Sequence, residues 1–401
     1  MRRVLFCVLP EQGHLNPCIG PAQRLQARGL EVAFCGAQSL GAQLRRAGPF
    51  VQLGATAVPR HDALRRGAQF AASVRDAAWL RGWIRELLID RVADQVPTLR
   101  AVIRHWRPDV IVIDPLCYAA AIAAEREGRR WVALSNSLNP VLPDALDSEL
   151  LGTVRELLPA RRALFERFGV AANFRGCDVL SPYLTTVFAT EALVGPPPAG
   201  VTLLGPSLPA TTRGDESEFP WARLDAALPL VYLSFGSQIY HQPELFAKVT
   251  AALRDLPLQL VLSAGELADS LNRTALDART VIVRYAPQLA LLRRARLFIT
   301  HGGANSVMEA LACGVPLLIS PLCNDQFHQA YFIERAGVGQ RLDLREASCQ
   351  DIAAAVGALL SIGSHRERLE AIRASYRRDG ADEAARLISA LAAESRPGRA
   401  S

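Results

Sequence analysis

The chain has 401 residues, half of them hydrophobic and 21% charged, and its formal net charge is +6. A chain of this length usually organises more than one hydrophobic core, so two domains are expected. The small excess of base falls in the first half of the chain. It favours a solvated helical face over a nucleic-acid groove and leaves a loose attraction to anionic membranes open.

The cysteines and the apolar runs indicate the cellular setting. The eight cysteines show no C-x-x-C pair, and most lie in apolar runs, which is typical of free thiols in a reducing cytoplasm. The apolar run 4–9 is too short for a signal peptide and ends at Pro10. No stretch approaches the roughly 18 apolar residues of a membrane span. We therefore expect a cytoplasmic protein without a transmembrane segment.

The first half of the chain alternates short apolar strands with helices. In chain order, the predicted elements are a strand over 4–9, a helix over 18–29, a strand over 31–35, arginine-rich amphipathic helices over 60–107, a strand over 109–114, an alanine-rich helix after Pro115 and a strand over 131–135. Continuous apolar strands separated by helices are typical of a parallel, doubly wound sheet.

A proline-rich and acidic stretch, 195–220, separates this pattern from a second alternation of strands and helices. Strands are predicted over 230–237, 258–263, 280–283, 297–300 and 317–320, closing helices over 351–360 and 384–393, and a disordered tail over 395–401. The expected organisation is a first domain over 1–205, a linker over 206–228, a second domain over 229–375, and a C-terminal helix and tail over 376–401. The fold class is therefore α/β, with two Rossmann-like, doubly wound domains facing a cleft in which a ligand would lie.

The segment 285–326 is the richest in ligand-binding residue types. A predicted strand breaks into a glycine turn, a helix opens on Asn305 and Ser306, and the next strand leads to an acid and an amide. Glycines let a backbone approach a phosphate, and a helix N-terminus supplies free N–H groups and a positive dipole. The segment predicts a site for a diphosphate and a sugar, formed by Tyr285, Gln288, His301, Gly303, Asn305, Ser306, Glu309, Asp325 and Gln326.

Several of these residues have a structural interpretation beside the functional one. Tyr285 could stack on a base or belong to a core, and His301 could offset charge on a leaving diphosphate or play a structural role. Ser237, after the first strand of the second half, could contact the distal phosphate or simply form a turn. His328 is expected on a helix surface.

Two residues of the first half form a candidate acid–base pair. His14, preceded by Gly13, follows the first strand, and Asp114 ends another strand, so both are expected at the carboxyl edge of the sheet. A histidine there is a natural general base for an alcohol, particularly when a carboxylate holds its other ring nitrogen. The sequence has no Walker loop, no G-x-G-x-x-G after a strand and no metal-ligand spacing, so we expect no catalytic metal.

The start Gly13-His-Leu-Asn-Pro17 and the series Ala286-Pro-Gln288, His301-Gly-Gly-Ala-Asn-Ser306, Glu309 and Asp325-Gln326 resemble the UDP-glycosyltransferase superfamily. That family comprises metal-independent inverting enzymes of GT-B fold. The resemblance implies an acceptor-binding first domain, a second domain that binds the nucleotide sugar, and a C-terminal helix that crosses back onto the first domain. Plant members carry tryptophan at the position of Tyr285 and Cys-Gly-Trp at 302–304, whereas bacterial natural-product members often look like this chain.

The resemblance also assigns roles to individual residues. It implies His14 as the base, Asp114 as its orienting acid, Tyr285 and Gln288 as nucleoside contacts, His301, Asn305 and Ser306 as diphosphate contacts, Glu309 as the ribose contact, and Asp325 with Gln326 as contacts of the sugar hydroxyls. Gly13 and Ser237 join the donor site. No cofactor is expected beyond the nucleotide-sugar co-substrate, with a UDP-sugar ahead of a dTDP-sugar.

The expected activity is transfer of a sugar, with glucose favoured, to a hydroxyl of a lipophilic small molecule. Aromatic and aliphatic residues expected near the acceptor are Phe70, Trp79, Trp83, Leu116, Tyr118 and Leu138. Nucleic acid is not an expected partner, and the chain is expected to be a monomer or a dimer. Two alternatives stay open: a lipid-acceptor transferase at the membrane surface, and an inactive helper that binds another transferase.

Overall fold

The computed structural model describes residues 1–36, 41–54, 67–274, 278–361 and 363–394. Fifteen strands run in chain order as β1 Arg3–Cys7, β2 Glu31–Cys35, β3 Val51–Leu53, β4 Val110–Ile113, β5 Trp131–Ser135, β6 Asn173–Arg175, β7 Asp178–Leu180, β8 Leu184–Val187, β9 Val201–Leu203, β10 Leu230–Ser234, β11 Gln259–Ser263, β12 Thr280–Val283, β13 Leu297–Thr300, β14 Leu317–Ile319 and β15 Gly339–Arg341. The start of the predicted helical stretch 60–107 and the predicted tail 395–401 lie outside the described residues.

These strands form two parallel sheets and one small hairpin. The first sheet has the order β3-β2-β1-β4-β5-β8-β9, and the second has the order β12-β11-β10-β13-β14-β15. The strands β6 and β7 pair antiparallel. In each sheet the strand order reverses at one point, between β1 and β4 in the first and between β10 and β13 in the second. Ligands of open α/β sheets bind beyond the carboxyl ends of the strands at such a point.

The helices cover both faces of each sheet, which explains why the central strands, such as β4, β10 and β13, are buried and largely apolar. They are α1 Gln12–Ala27, α2 Gly41–Ala47, α3 Gly67–Ser73, α4 Ala77–Arg85, α5 Val92–Trp106, α6 Tyr118–Arg126, α7 Glu149–Glu156, α8 Leu158–Arg167, α9 Glu191–Val194, α10 Pro243–Leu253, α11 Ala268–Thr274, α12 Gln288–Leu292, α13 Ala304–Cys313, α14 Gln326–Ala336, α15 Cys349–Leu360, α16 Ser364–Ser375 and α17 Gly380–Ala393. None of the helices among the described residues is long and apolar enough to cross a bilayer.

The last helix, α17, lies on the first half of the molecule rather than on the second. Arg24 of α1 pairs with Asp379, and Arg28 pairs with Asp382. The two helices approach closely at Gly20, where a Cβ atom would lie 2.9 Å from the Cβ of Ala381. The end of the chain therefore packs against the helix that carries His14.

Candidate active site

A cavity of about 880 Å³ lies between the carboxyl edges of the two sheets. Loops from both halves of the molecule line it. Its wall includes all the residues that the sequence predicts for catalysis and donor binding, namely Gly13, His14, Asp114, Ser237, Tyr285, Gln288, His301, Gly303, Asn305, Ser306, Glu309, Asp325 and Gln326. Side chains that are far apart in the sequence thus share one cleft.

His14 and Asp114 form a hydrogen-bonded pair at the strand-order reversal of the first sheet. The distance from His14 Nδ1 to Asp114 Oδ2 is 2.5 Å, and the backbone N–H of Leu116 donates to the other carboxylate oxygen at 3.1 Å. Burial alone would lower the pKa of His14, but the charges of Asp114, Glu11 and Asp325 and the hydrogen bond to Asp114 raise it to about 9. The imidazolium form is therefore strongly stabilised, and Nε2 is left for a substrate.

The helix that carries His14 begins six residues earlier than the sequence predicts, so His14 lies in its first turn. The prediction stopped short because Pro17 lies inside the helix. A proline has no N–H, so the carbonyl four residues earlier, that of Gly13, has no helical partner. The side-chain amides of Asn136 and Asn305 donate to this carbonyl at 2.7 and 2.6 Å. One backbone oxygen beside the base is thus held from both halves of the molecule.

The N-terminus of α13 faces the same cavity. Gly303 precedes the helix and offers no side-chain cap, so the N–H groups of the first turn are available to an anion. The ring of His301 lies between two glycines, because a Cβ atom on Gly236 or Gly303 would come within 2.6 or 2.7 Å of it. Burial lowers the pKa of His301 to about 4, so the ring is neutral near pH 7. It can offer a hydrogen bond there, not the positive charge that the sequence left open.

Two residues of the predicted linker, which the sequence analysis did not select, contact the residues predicted to bind the nucleoside. Arg213 is buried and donates through Nη1 to Glu309 and through Nε to Asp215, the latter at 2.8 Å. The Tyr285 hydroxyl donates to Asp215 at 2.5 Å, and Gln288 donates to the second oxygen of Glu309 at 2.8 Å. Both oxygens of the predicted ribose contact are therefore held in place by protein donors. There was little indication of this role for Arg213 in the sequence, because it is a single arginine in an acidic stretch that was predicted to be a linker.

The turn before α14 uses Gln326 structurally. Its side-chain oxygen accepts the backbone N–H groups of Leu322 and Cys323 at 2.8 and 3.1 Å, and its amide nitrogen donates to the sulfur of Cys323 at 3.5 Å, which leaves one of its two N–H groups for a ligand. Burial raises the pKa of Asp325. The expectation for His328 was wrong: it is buried rather than on a surface, and its Nε2 lies 2.8 Å from the Ser148 hydroxyl.

Only part of the predicted acceptor set reaches the cavity. Phe70, Trp83 and Leu116 line it. Trp79 stacks on Trp83 with ring centroids 6.4 Å apart but is not part of the lining. Tyr118 and Leu138 belong to the core, and the Tyr118 hydroxyl donates to the carbonyl of Cys177 at 2.5 Å. Those two were misassigned because an apolar residue near a strand end can face either the cleft or the core.

Within the described ranges, no group of three or more histidine, cysteine, aspartate or glutamate side chains could hold a metal ion. The charged side chains that line the cavity are the acids Glu11, Asp114, Asp178, Glu266, Glu309 and Asp325 and the basic residues His14, Arg213 and Arg284.

Three comparisons relate the chain to known proteins. Residues 220–375 match the family model described as UDP-glucoronosyl and UDP-glucosyl transferase. The 4'-demethylrebeccamycin synthase of Lentzea aerocolonigenes is 26% identical over 97% of this chain and 99% of that protein. The oleandomycin glycosyltransferase of Streptomyces antibioticus is 28% identical over 94% of this chain and 88% of that protein.

Solved structures show the same architecture. The glycotransferase of kitacinnamycin superposes with a TM-score of 0.74 at 26% identity, covering 97% of this chain and 98% of that one. The glycosyltransferase VinC, solved in complex with dTDP, has a TM-score of 0.71 at 20% identity, with 97% and 99% covered. The two sheets, the shared cleft and these matches lead to one conclusion. The matches support the UDP-glycosyltransferase superfamily, and the chain is an O-glycosyltransferase of GT-B fold and of the bacterial natural-product type.

Proposed function

We propose that the enzyme is an inverting, metal-independent transferase that moves glucose from UDP-glucose to a hydroxyl of a lipophilic small molecule. The observation that carries this proposal is the 2.5 Å contact of His14 with Asp114 in the cavity that also holds the N-terminus of α13. A base for an alcohol and a cradle for a diphosphate face one another across a single cleft.

The chemistry follows from these positions. Nε2 of neutral His14 takes the proton of the acceptor hydroxyl as the oxygen attacks the anomeric carbon. The bond from that carbon to the diphosphate oxygen breaks on the opposite face, so an α-linked donor gives a β-glycoside. Asp114 stabilises the imidazolium that forms and fixes the tautomer of the ring.

The departing diphosphate needs charge stabilisation, for which the second half supplies neutral donors. The N–H groups at the start of α13, the Ser306 hydroxyl and the ring of His301 are the groups available. Preorganised donors of this kind stabilise developing negative charge without a metal. We assign the sugar hydroxyls to Asp325 and to the amide nitrogen of Gln326, because both residues line the same cavity.

Glu309 supports a nucleoside diphosphate with a ribose as the donor. Arg213 and Gln288 fix the carboxylate, and each of its oxygens has a second lone pair for a ribose hydroxyl. We take UDP as the preferred carrier, and dTDP, which VinC binds, as the competing one. The unpaired cysteines fit a cytoplasmic enzyme.

Transfer from UDP-glucose to 2-naphthol and related phenols and alcohols, followed in EDTA, tests the proposal. His14→Ala should lower kcat by about 10²–10⁴-fold, the usual contribution of a general base, while UDP affinity stays the same. The matched control is His105→Ala, which removes an exposed histidine of α5 and should be silent. Equal turnover by wild type and His14→Ala would remove His14 from the mechanism.

A further inference from the structure

A buried acid that the proposed mechanism does not use lines the first-half side of the cavity. Asp178 is the first residue of β7 and is 2% exposed. It forms no ion pair with any lysine, arginine or histidine of the described residues, although it lines a cleft large enough for a small molecule. A buried carboxylate without a counter-ion is costly, so it needs explanation.

The neighbours of Asp178 leave hydrogen-bond acceptors in excess. The Ser135 hydroxyl and the Asn139 amide donate to its two oxygens at 2.5 and 2.8 Å. Asn139 is 4% exposed, and its side-chain oxygen has no partner. The cluster therefore has more acceptor capacity than its own donors fill.

The cluster lies beside the catalytic pair. Ser135 ends β5, which pairs directly with β4, the strand that precedes Asp114. Asn136, Ser137 and Asn139 follow β5 and line the same cavity. A ligand with its hydroxyl at His14 could therefore extend along this sheet edge to Asp178.

The surrounding wall indicates the rest of such a ligand. Apolar side chains dominate the lining on this side: Phe70, Trp83, Ile84, Leu87, Leu88, Leu116 and Leu150. Arg161 is a buried cation that contacts the residue before Asp178, and its Nη2 donates to the Tyr118 hydroxyl and to the Cys177 carbonyl. An apolar body with one donor-rich or cationic group fits these walls.

We propose that Asp178, held by hydrogen bonds from Ser135 and Asn139, binds a protonated amine of the acceptor, so that the preferred acceptors are apolar hydroxylated molecules that carry a basic amine. The inference rests on the proposed placement of the acceptor in the first half of the molecule. An ammonium group supplies several donors and a positive charge, which are what this cluster lacks.

The acidity of Asp178 agrees with this role. The pKa of Asp178 is raised to about 7. Burial is the main cause, the charges of Asp114 and Asp325 add to it, and the hydrogen bonds from Ser135 and Asn139 act in the opposite direction. The carboxylate is therefore ionised at pH 8, when an alkyl amine is still protonated. The other titratable or charged groups near it are Tyr118, Cys177 and Arg161, of which the phenol and the thiol stay protonated at this pH because burial raises their pKa values.

The test uses two probes, 6-(2-aminoethyl)-2-naphthol and its N-acetyl derivative, of which only the first carries a positive charge at pH 8. Their dissociation constants are measured by calorimetry at pH 8 on the intact enzyme. We expect wild type to bind the amine about tenfold more tightly, a difference of about 1.4 kcal/mol. Asp178→Asn should erase this preference while binding of the N-acetyl compound is unchanged.

Glu266→Gln is the matched control, because Glu266 is an exposed acid that lines the same cavity. It should keep the preference if Asp178 acts by direct contact rather than through the general negative potential of the cleft. Titration of wild type alone from pH 6 to 8 gives a second readout: affinity for the amine should rise and affinity for the N-acetyl compound should stay flat.

Equal affinities in wild type, no binding of the amine, a preference that survives Asp178→Asn, or one that disappears in Glu266→Gln would each overturn the subsite. UDP titrations of the same proteins separate this from the proposed function. Normal UDP binding without an amine preference would overturn the subsite alone, whereas loss of UDP binding in wild type would overturn the transferase proposal.

Discussion

His14 is a stronger base than a free histidine because Asp114 holds its Nδ1 at 2.5 Å. The same contact helps to raise the pKa of His14 to about 9, so the ring of the free enzyme is protonated below that pH. The pair therefore stabilises the imidazolium that forms during transfer, but the ring must first be neutral to accept a proton.

The pH dependence of turnover follows from this. We expect kcat/KM for the acceptor to rise with pH toward about 9, because only the neutral ring is a base. Asp114→Asn should move the rise to lower pH and reduce the maximal rate. A wild-type profile that is flat from pH 6 to 9 would contradict this account.

The contribution of the His14–Asp114 pair to stability should fall as pH rises, whereas kcat/KM should rise. The folded-state pKa of His14 lies above the ordinary histidine pKa of about 6.5, so the charged pair stabilises the fold fully below that pH and loses its contribution as pH rises through about 9. The difference in Tm between wild type and Asp114→Asn should therefore be larger at pH 6 than at pH 10.

At the scale of elements, the predicted linker contributes to the proposed donor site. Arg213 joins Glu309 of α13 to Asp215, which in turn holds Tyr285. Residue types and their spacing predicted the loop at 301–306 and the helix after it, because glycines and a helix N-terminus are local features. The contact of Arg213 with Glu309 could not be predicted from the sequence. It joins α13 to a residue almost a hundred positions earlier that lies outside any helix or strand.

Removal of Arg213 should be costly. Arg213→Met leaves Glu309 and Asp215 buried without their cation, and we expect a loss of about 3–5 kcal/mol of the free energy of unfolding. Arg155→Met, which breaks an exposed pair with Asp147, should cost less than about 1 kcal/mol. Denaturant titration measures both, and equal small losses would show that the buried cluster contributes little.

At the scale of the whole molecule, the two halves meet at α1. Pro17 frees the Gly13 carbonyl for Asn136 and Asn305, and Pro21 frees the Pro17 carbonyl for the linker residue Ser207, whose hydroxyl donates at 2.6 Å. Prolines that read as helix breakers in the sequence thus provide acceptors for contacts between distant segments.

Replacing Pro17 should separate activity from stability. The new N–H of Pro17→Ala competes for the Gly13 carbonyl, so Asn305 is held less firmly and kcat/KM should fall several-fold, the equivalent of about 1 kcal/mol for one hydrogen bond. Pro21→Ala is the control and should keep kcat/KM, because the carbonyl that Pro21 leaves without a helical partner, that of Pro17, contacts Ser207 of the predicted linker. Unchanged activity in both variants would mean that this contact does not position the site.

The sequence predicted most of the two sheets. Strands expected over 31–35, 131–135, 280–283 and 297–300 have these bounds in the structure, because each is a continuous apolar run between turn residues. The hairpin of β6 and β7 and the short strands β3, β8, β9 and β15 were not expected. Their sequences are short or polar, and long-range pairing rather than local pattern defines them.

The most direct test of the central claim is a calorimetric titration with UDP and with dTDP in EDTA, on wild type and on Glu309→Ala. The account predicts metal-free binding of UDP by wild type and at least about tenfold weaker binding by the variant, since the ribose loses its carboxylate. If neither nucleotide binds wild type, the cleft is not a nucleotide-sugar site. If Glu309→Ala binds UDP as tightly as wild type, the ribose contact is misassigned.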